Sequence, residues 1–145
     1  MAVLKLDEGL YVAPQLTRAD VAGLAALGIG AVICNRPDGE EDGQPTFAQV
    51  SLWLKEAGIS ECRHQPVTAR SIGGRDVAEF ESLLALSDRP VLAFCRTGTR
   101  SSLLWAFARI RQGRDAAGVL AAAKAAGVDL SDFAPRLLEA ERGGV

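Results

Sequence analysis

Along the chain, short unbroken apolar runs alternate with stretches whose apolar residues recur every three or four positions. Runs such as Ala31 to Cys34 and Val91 to Phe94 carry no polar residue, as expected of parallel strands covered on both faces. Strands are predicted at Leu10 to Ala13, Ala31 to Cys34, about Cys62 to Val67, and Val91 to Phe94. Helical periods fall between and after them. The first starts at an N-cap, Thr17, with Asp20 in capping-box spacing, and runs through Val21, Leu24, Ala25 and Leu27 to a stop at Gly28. Further helices are predicted over about Thr46 to Ala57, with Phe47, Val50, Trp53 and Leu54 as its apolar positions, and over Asp76 to Leu86. Three more follow, at Ser101 to Gln112, Asp115 to Ala126 and Ser131 to Glu141. This alternation predicts an α/β fold. It is read as a single domain over residues 1–145, with a mainly parallel four- to five-stranded sheet flanked by helices.

Composition narrows the possible partners. Apolar residues make up 48% of the 145, enough for one ordinary core. The 16 basic and 18 acidic residues give a formal charge of -2, whereas nucleic-acid and anionic-membrane binders carry a surplus of Lys and Arg. Neither partner is expected. No apolar run approaches the roughly 20 residues that cross a bilayer. Met1 to Gly9 lacks the basic start and apolar block of a signal peptide. Cys34, Cys62 and Cys95 form an odd set without CxxC spacing, which argues against a disulfide framework or a zinc site. Reduced thiols in the cytoplasm are the natural reading. No metal or other cofactor is expected, and the sequence gives no indication of oligomeric state.

Candidate chemistry concentrates in Cys95-Arg96-Thr97-Gly98-Thr99-Arg100-Ser101, between a buried strand and a helix. Backbone N–H groups of such a turn point inward and form an anion site, and the helix N-terminus adds positive potential there. Arg100, together with Arg96, adds full charge. All of this favours thiolate over thiol, so Cys95 is the candidate nucleophile. Gly98 lets the backbone approach a bound group closely. Arg100 offers a planar fork for two oxyanion oxygens. Arg96, Thr97, Gly98, Thr99 and Arg100 form the candidate anion cradle, and Ser101 is a candidate donor to the sulfur. The phosphate loop GxxxxGK[ST] is absent, so nucleotide hydrolysis of that type is unsupported.

The loop resembles that of cysteine-dependent phosphatases, Cys-x5-Arg, and also that of rhodaneses. The whole chain resembles the bacterial family called the beta-lactamase hydrolase-like protein, phosphatase-like domain. The resemblance runs through Tyr11-Val12-Ala13-Pro14-Gln15-Leu16, Asn35-Arg36-Pro37-Asp38-Gly39-Glu40-Glu41, Gly43-Gln44-Pro45 and the cysteine loop. It implies a cysteine-phosphatase-like fold and either phosphatase-like or sulfur-transfer activity. Two departures bear on that choice. Only four residues separate Cys95 from Arg100, as in the rhodanese loop. The region Thr68-Ala69-Arg70-Ser71-Ile72, where such phosphatases place an acidic residue, has no acid until Asp76, and Phe94 stands where a His is common.

A phosphatase needs a proton donor for its leaving oxygen and a base for water. The loop after the second strand offers Asp38, Glu40 and Glu41, alternatively a solvated turn. Arg36 either lines the site or pairs with Glu40 or Glu41. Cys34 is either an inert core residue or near enough to Cys95 to form a disulfide or relay sulfur. His64 reads as structural, Cys62 as without a chemical role, and Trp53 and Trp105 as core. Three functions follow: a hydrolase of phosphate monoesters through a thiophosphoryl-cysteine, a sulfurtransferase carrying a Cys95 persulfide, or an inactive anion-binding module. The first two take a small anionic substrate, either a phosphate ester or a sulfane-sulfur donor.

Overall fold

The computed structural model describes residues 3–144; residues 1, 2 and 145 of the expected domain lie outside the described residues. Five strands, β1 (Leu4–Asp7), β2 (Leu10–Ala13), β3 (Ala31–Cys34), β4 (Glu61–His64) and β5 (Val91–Phe94), form one sheet in the order β1-β2-β5-β3-β4. Among the described residues only β1 runs antiparallel, and the other four strands are mutually parallel. The helices are α1 (Arg18–Val21), α2 (Phe47–Glu56), α3 (Gly74–Leu84), α4 (Thr99–Arg111), α5 (Ala116–Ala126) and α6 (Ala134–Gly143).

The period of two places the core. Ala31 and Ile33 of β3 and Val91 and Ala93 of β5 join the side chains of α3 to α6 on one face. Val32, Cys34, Leu92 and Phe94 join Val21 of α1 and Val50 and Leu54 of α2 on the other. Every residue of β3 and β5 is buried, as their unbroken apolar runs required. Among the described residues no helix is long and apolar enough to cross a membrane.

Several boundaries differ from the sequence reading for local reasons. β1 was not expected, because at this edge only Leu6 is fully buried and the apolar alternation is short. The helix predicted from Thr17 to Gly28 is one turn, α1, followed by a 3-10 turn at Ala25–Leu27. Its capping box, Thr17 with Asp20, is formed, but Gly23 follows its last turn, and carrying the helix on through a glycine costs about 1 kcal/mol relative to alanine. β4 stops at His64, short of Val67. The chain still follows β3 beyond that point, with Gln65 N–H donating to Cys34 O and Val67 N–H to Asn35 O.

Parallel pairing fixes where the loops emerge. Ala13 and Cys34 both lie opposite Phe94, and His64 lies opposite Cys34, so four strand ends are level at one edge. In open α/β sheets this carboxyl edge is where ligands bind.

Candidate active site

The cysteine loop leaves the middle of that edge. Asn35 N–H donates to Phe94 O at 2.8 Å, Cys95 N–H to Ala13 O at 3.4 Å, and Gln15 N–H to Arg96 O at 3.1 Å. The loop is thus tied to the strands on both sides, and Cys95 is buried. Gly98 has φ +91°, a left-handed conformation that glycine adopts freely. That turn aims its N–H at Cys95 Sγ, 3.1 Å away. α4 begins at the next residue, so its N-terminal amides close the concavity. Thr97 Oγ1 donates to Thr99 Oγ1 at 3.1 Å, and Ser102 Oγ anchors the Gly98 carbonyl at 2.8 Å.

Arg100 is held from outside the loop. Its Nη1 and Nη2 donate to the two oxygens of Glu40 at 2.8 and 2.9 Å, and Nη1 also donates to Val67 O at 3.1 Å. The end edge of the guanidinium is thereby occupied. The remaining Nε and Nη2 hydrogens meet no protein oxygen among the described residues, which leaves one fork for an anion. Glu40 holds Arg100 firmly in its charged form, and the Cys95 sulfur also acts on it.

Arg36, only 2% exposed, organises the second layer. Nε donates to Glu40 Oε1 at 2.9 Å, Nη2 to Glu41 Oε1 at 2.8 Å, and Nη1 to Gln15 Oε1 at 3.0 Å. Exposed Arg96 lies 3.6 Å from Glu41. The Arg100 hydrogen bond, outweighing burial and helped by Arg36, pulls the Glu40 carboxyl down to about 2. Arg36 and then Arg96 lower Glu41 as well. Glu40, considered from the sequence as a proton donor, is therefore an ionised brace between two arginines. Asp38 Oδ1 accepts the Phe47 N–H at the start of α2, 2.8 Å away.

Three further sequence candidates have defined places. Ser101, read as a donor to the sulfur, donates instead to Asn35 Oδ1 at 2.8 Å. Burial pushes the Cys34 thiol up to about 12, and its Sγ faces the Arg36 carbonyl at 3.5 Å. Cys34, Cys62 and Cys95 are all free thiols. His64 stacks on Phe47 at 4.7 Å, and its Nε2 donates to Arg36 O at 2.8 Å, because a carbonyl only accepts.

The sequence reading assigned no role to Asn35, Gln65 or Gln15. Asn35, fully buried, receives from Ser101 and donates to Gln65 O at 3.0 Å, while Gln65 Nε2 reaches Asp76 O at 2.7 Å. A polar residue directly after an all-apolar strand was the available signal for Asn35.

Two hollows flank the loop. One, of about 320 Å³, is lined by Arg36, Glu40, Glu41, Arg96 and Arg100. The other, of about 240 Å³, has Thr97, Gly98, Thr99 and Asp129 among its lining. A larger hollow of about 380 Å³, lined in part by Trp105 and Arg109, lies at the opposite end of the strands, away from the sulfur. Among the described residues no three His, Cys, Asp or Glu side chains gather as metal ligands.

Residues 3–112 match the family described as beta-lactamase hydrolase-like protein, phosphatase-like domain. A beta-lactamase hydrolase-like protein of Agrobacterium fabrum is 34% identical over 114 residues, 79% of this chain and 26% of that protein. One from Xylella fastidiosa (strain Temecula1) is 30% identical over the same shares. The chain thus spans about a quarter of the length of these curated relatives. A candidate phosphatase from Neisseria meningitidis Z2491 superposes with a TM-score of 0.92 at 54% identity, over 97% of this chain and 99% of that one. TpbA of P. aeruginosa shares the fold, with a TM-score of 0.70 at 24% identity over 94% and 83% of the chains. The match over residues 3–112 contains both the Asn35–Glu41 loop and the cysteine loop, and on that match the chain belongs to the phosphatase-like domain family of beta-lactamase hydrolase-like proteins.

Proposed function

We propose that the chain is a cysteine-dependent, phosphatase-like hydrolase acting on a small anionic phosphate compound. The observation that carries this is the convergence of the Cys95 sulfur, the Gly98 amide and the free edge of Arg100 at the start of α4. Cys95 attacks phosphorus, while the loop amides of Arg96 to Thr99 and the Arg100 fork hold the equatorial oxygens as charge shifts onto them. A thiophosphoryl-cysteine forms, and water then releases phosphate and restores the thiolate. Glu40 and Arg36 keep Arg100 aimed through each step.

The family match and the Neisseria structure support a phosphatase-like reaction. TpbA is known with phosphotyrosine bound and a yeast PP-IP phosphatase with citrate, so this fold accommodates small anions elsewhere. A second reading, sulfur transfer through a Cys95 persulfide, has one observation in its favour: the loop holds four residues between Cys95 and Arg100.

The test compares wild type with Cys95→Ser. Release of phosphate from 4-nitrophenyl phosphate by the wild type alone is the expected result. A gain of one sulfur mass after thiosulfate exposure, without phosphate release, would select the second reading. Neither event would reduce the site to an anion-binding module.

A further inference from the structure

The hydrolase reading leaves open how the departing oxygen acquires its proton. The carboxylates bordering the two hollows beside the cysteine loop are Glu40, Glu41 and Asp129. Each is already engaged as an acceptor. Glu40 receives one hydrogen bond from Arg36 and two from Arg100, at 2.8 to 2.9 Å. Glu41 Oε1 receives Arg36 Nη2 at 2.8 Å, and Asp129 Oδ1 receives the Ser131 N–H at 2.9 Å. These contacts hold all three carboxyls below their ordinary range. Protonating Glu40 or Glu41 breaks charge-assisted bonds, so neither carries a proton to give at neutral pH.

The side chains behind them are engaged too. Asp38 accepts the Phe47 amide and Asp76 the Gly73 amide, both at helix starts, and the His64 Nε2 hydrogen goes to the Arg36 carbonyl. The groups placed at the sulfur are of another kind: the Gly98 amide, 3.1 Å away, and the Arg100 guanidinium. Such groups stabilise negative charge without surrendering a proton, since arginine remains charged throughout. The site is built to receive an anion that leaves as an anion.

Resting on the hydrolase reading, we propose that the site takes phosphoryl groups carried on leaving groups stable as free anions: acyl phosphates, phosphoanhydrides and activated aryl phosphates, in preference to alkyl phosphates. In the first step the S–P bond of Cys95 forms as the P–O bond breaks, and the electron pair stays on the departing oxygen, which exits unprotonated. In the second step water attacks phosphorus, sulfur leaves as thiolate, and both hydrogens of the water end on the released dihydrogen phosphate. No carboxylic acid takes part in either step.

The experiment measures kcat/KM for acetyl phosphate, 4-nitrophenyl phosphate, phenyl phosphate and ethyl phosphate, with Cys95→Ser as the blank for spontaneous hydrolysis. We expect a steep decline along that series. Ethyl phosphate should be slower than 4-nitrophenyl phosphate by at least the 10²–10⁴-fold, roughly, that a positioned general acid supplies. Rates within about tenfold across the series would reveal a proton donor and overturn the inference while leaving the hydrolase reading intact. Absence of Cys95-dependent phosphate release from all four compounds would overturn the hydrolase reading, and the substrate class with it.

Discussion

At the scale of single residues, Glu40 shows how partners set chemistry. A carboxylate that accepts from both Arg36 and Arg100 cannot be protonated without loosening both. Glu40→Gln preserves size but turns an NH₂ group toward guanidinium donors. A lost hydrogen bond between charged groups is worth about 1.5–3 kcal/mol, so kcat/KM for 4-nitrophenyl phosphate should fall roughly ten- to a hundredfold. An unchanged kcat/KM would remove Glu40 from the machinery. The same variant alters acid stability, with a definite sign. The Arg100 hydrogen bond, with Arg36, holds the folded carboxyl down at about 2 against an ordinary 4.5, so the unfolded chain binds more protons in that window. This stabilisation is complete above the ordinary value and is lost as pH falls toward the folded one. Urea midpoints should therefore drop from pH 5 downward less steeply in Glu40→Gln than in wild type. Cys95, Gly98 and Arg100 were legible in the sequence because they are near neighbours in one loop. The Arg36–Glu40 pair, four positions apart, was among the sequence readings, but its extension to Arg100 was not, since pairing Glu40 with a residue 60 positions away requires the folded sheet.

At the scale of elements, the loop works because strand register and a helix start coincide. β5 delivers Cys95 between β2 and β3, and Gly98 turns the backbone from the end of β5 into α4. Gly98→Ala would place a Cβ 3.5 Å from the Ala13 carbonyl, an ordinary contact, so space does not forbid it. The backbone does: a left-handed φ costs an L-residue about 1–2 kcal/mol. Relaxing that strain rotates the N–H away from Sγ. We expect a stability loss of about 1–2 kcal/mol in urea titrations, accompanied by loss of most Cys95-dependent turnover. Full activity in a destabilised variant would show that the Gly98 amide does not serve the sulfur. Elements were read well where both faces are buried, as in β3 and β5, because packing then dictates an unbroken apolar run. They were misread where burial is slight: β1 contributes one fully buried residue, and α1 is four residues long. The buried Asn35–Ser101 bond joins two elements 66 residues apart, and no local pattern announces it.

At the scale of the whole molecule, the helix that closes the chain supports the site from behind. α6 lies beyond residues 3–112, the span matched to the family. From it, Arg136 donates to Ala69 O at 2.6 Å and Ile72 O at 3.1 Å, and its guanidinium lies 5.2 Å from the centre of the Phe107 ring on α4. The 67–72 segment that it braces contributes the Val67 carbonyl that receives Arg100. A continuous set of contacts therefore links α6 to Arg100. Arg136→Met keeps an apolar stem over Phe107 but removes both donors, leaving the Ala69 and Ile72 carbonyls without this partner. The expected cost is about 1–3 kcal/mol, read as a lower urea midpoint with unchanged slope. Hydrogen exchange should accelerate at the Ser71 amide, which bonds within this segment to Thr68 O, and at the adjoining Gly73 amide, which bonds to the Asp76 carboxylate of α3. Turnover should fall less than in Glu40→Gln, because Arg100 loses the order of one carbonyl and keeps its carboxylate. Unaltered exchange at Ser71 and Gly73 in a destabilised Arg136→Met would show that α6 supports the fold without bracing the segment behind Arg100.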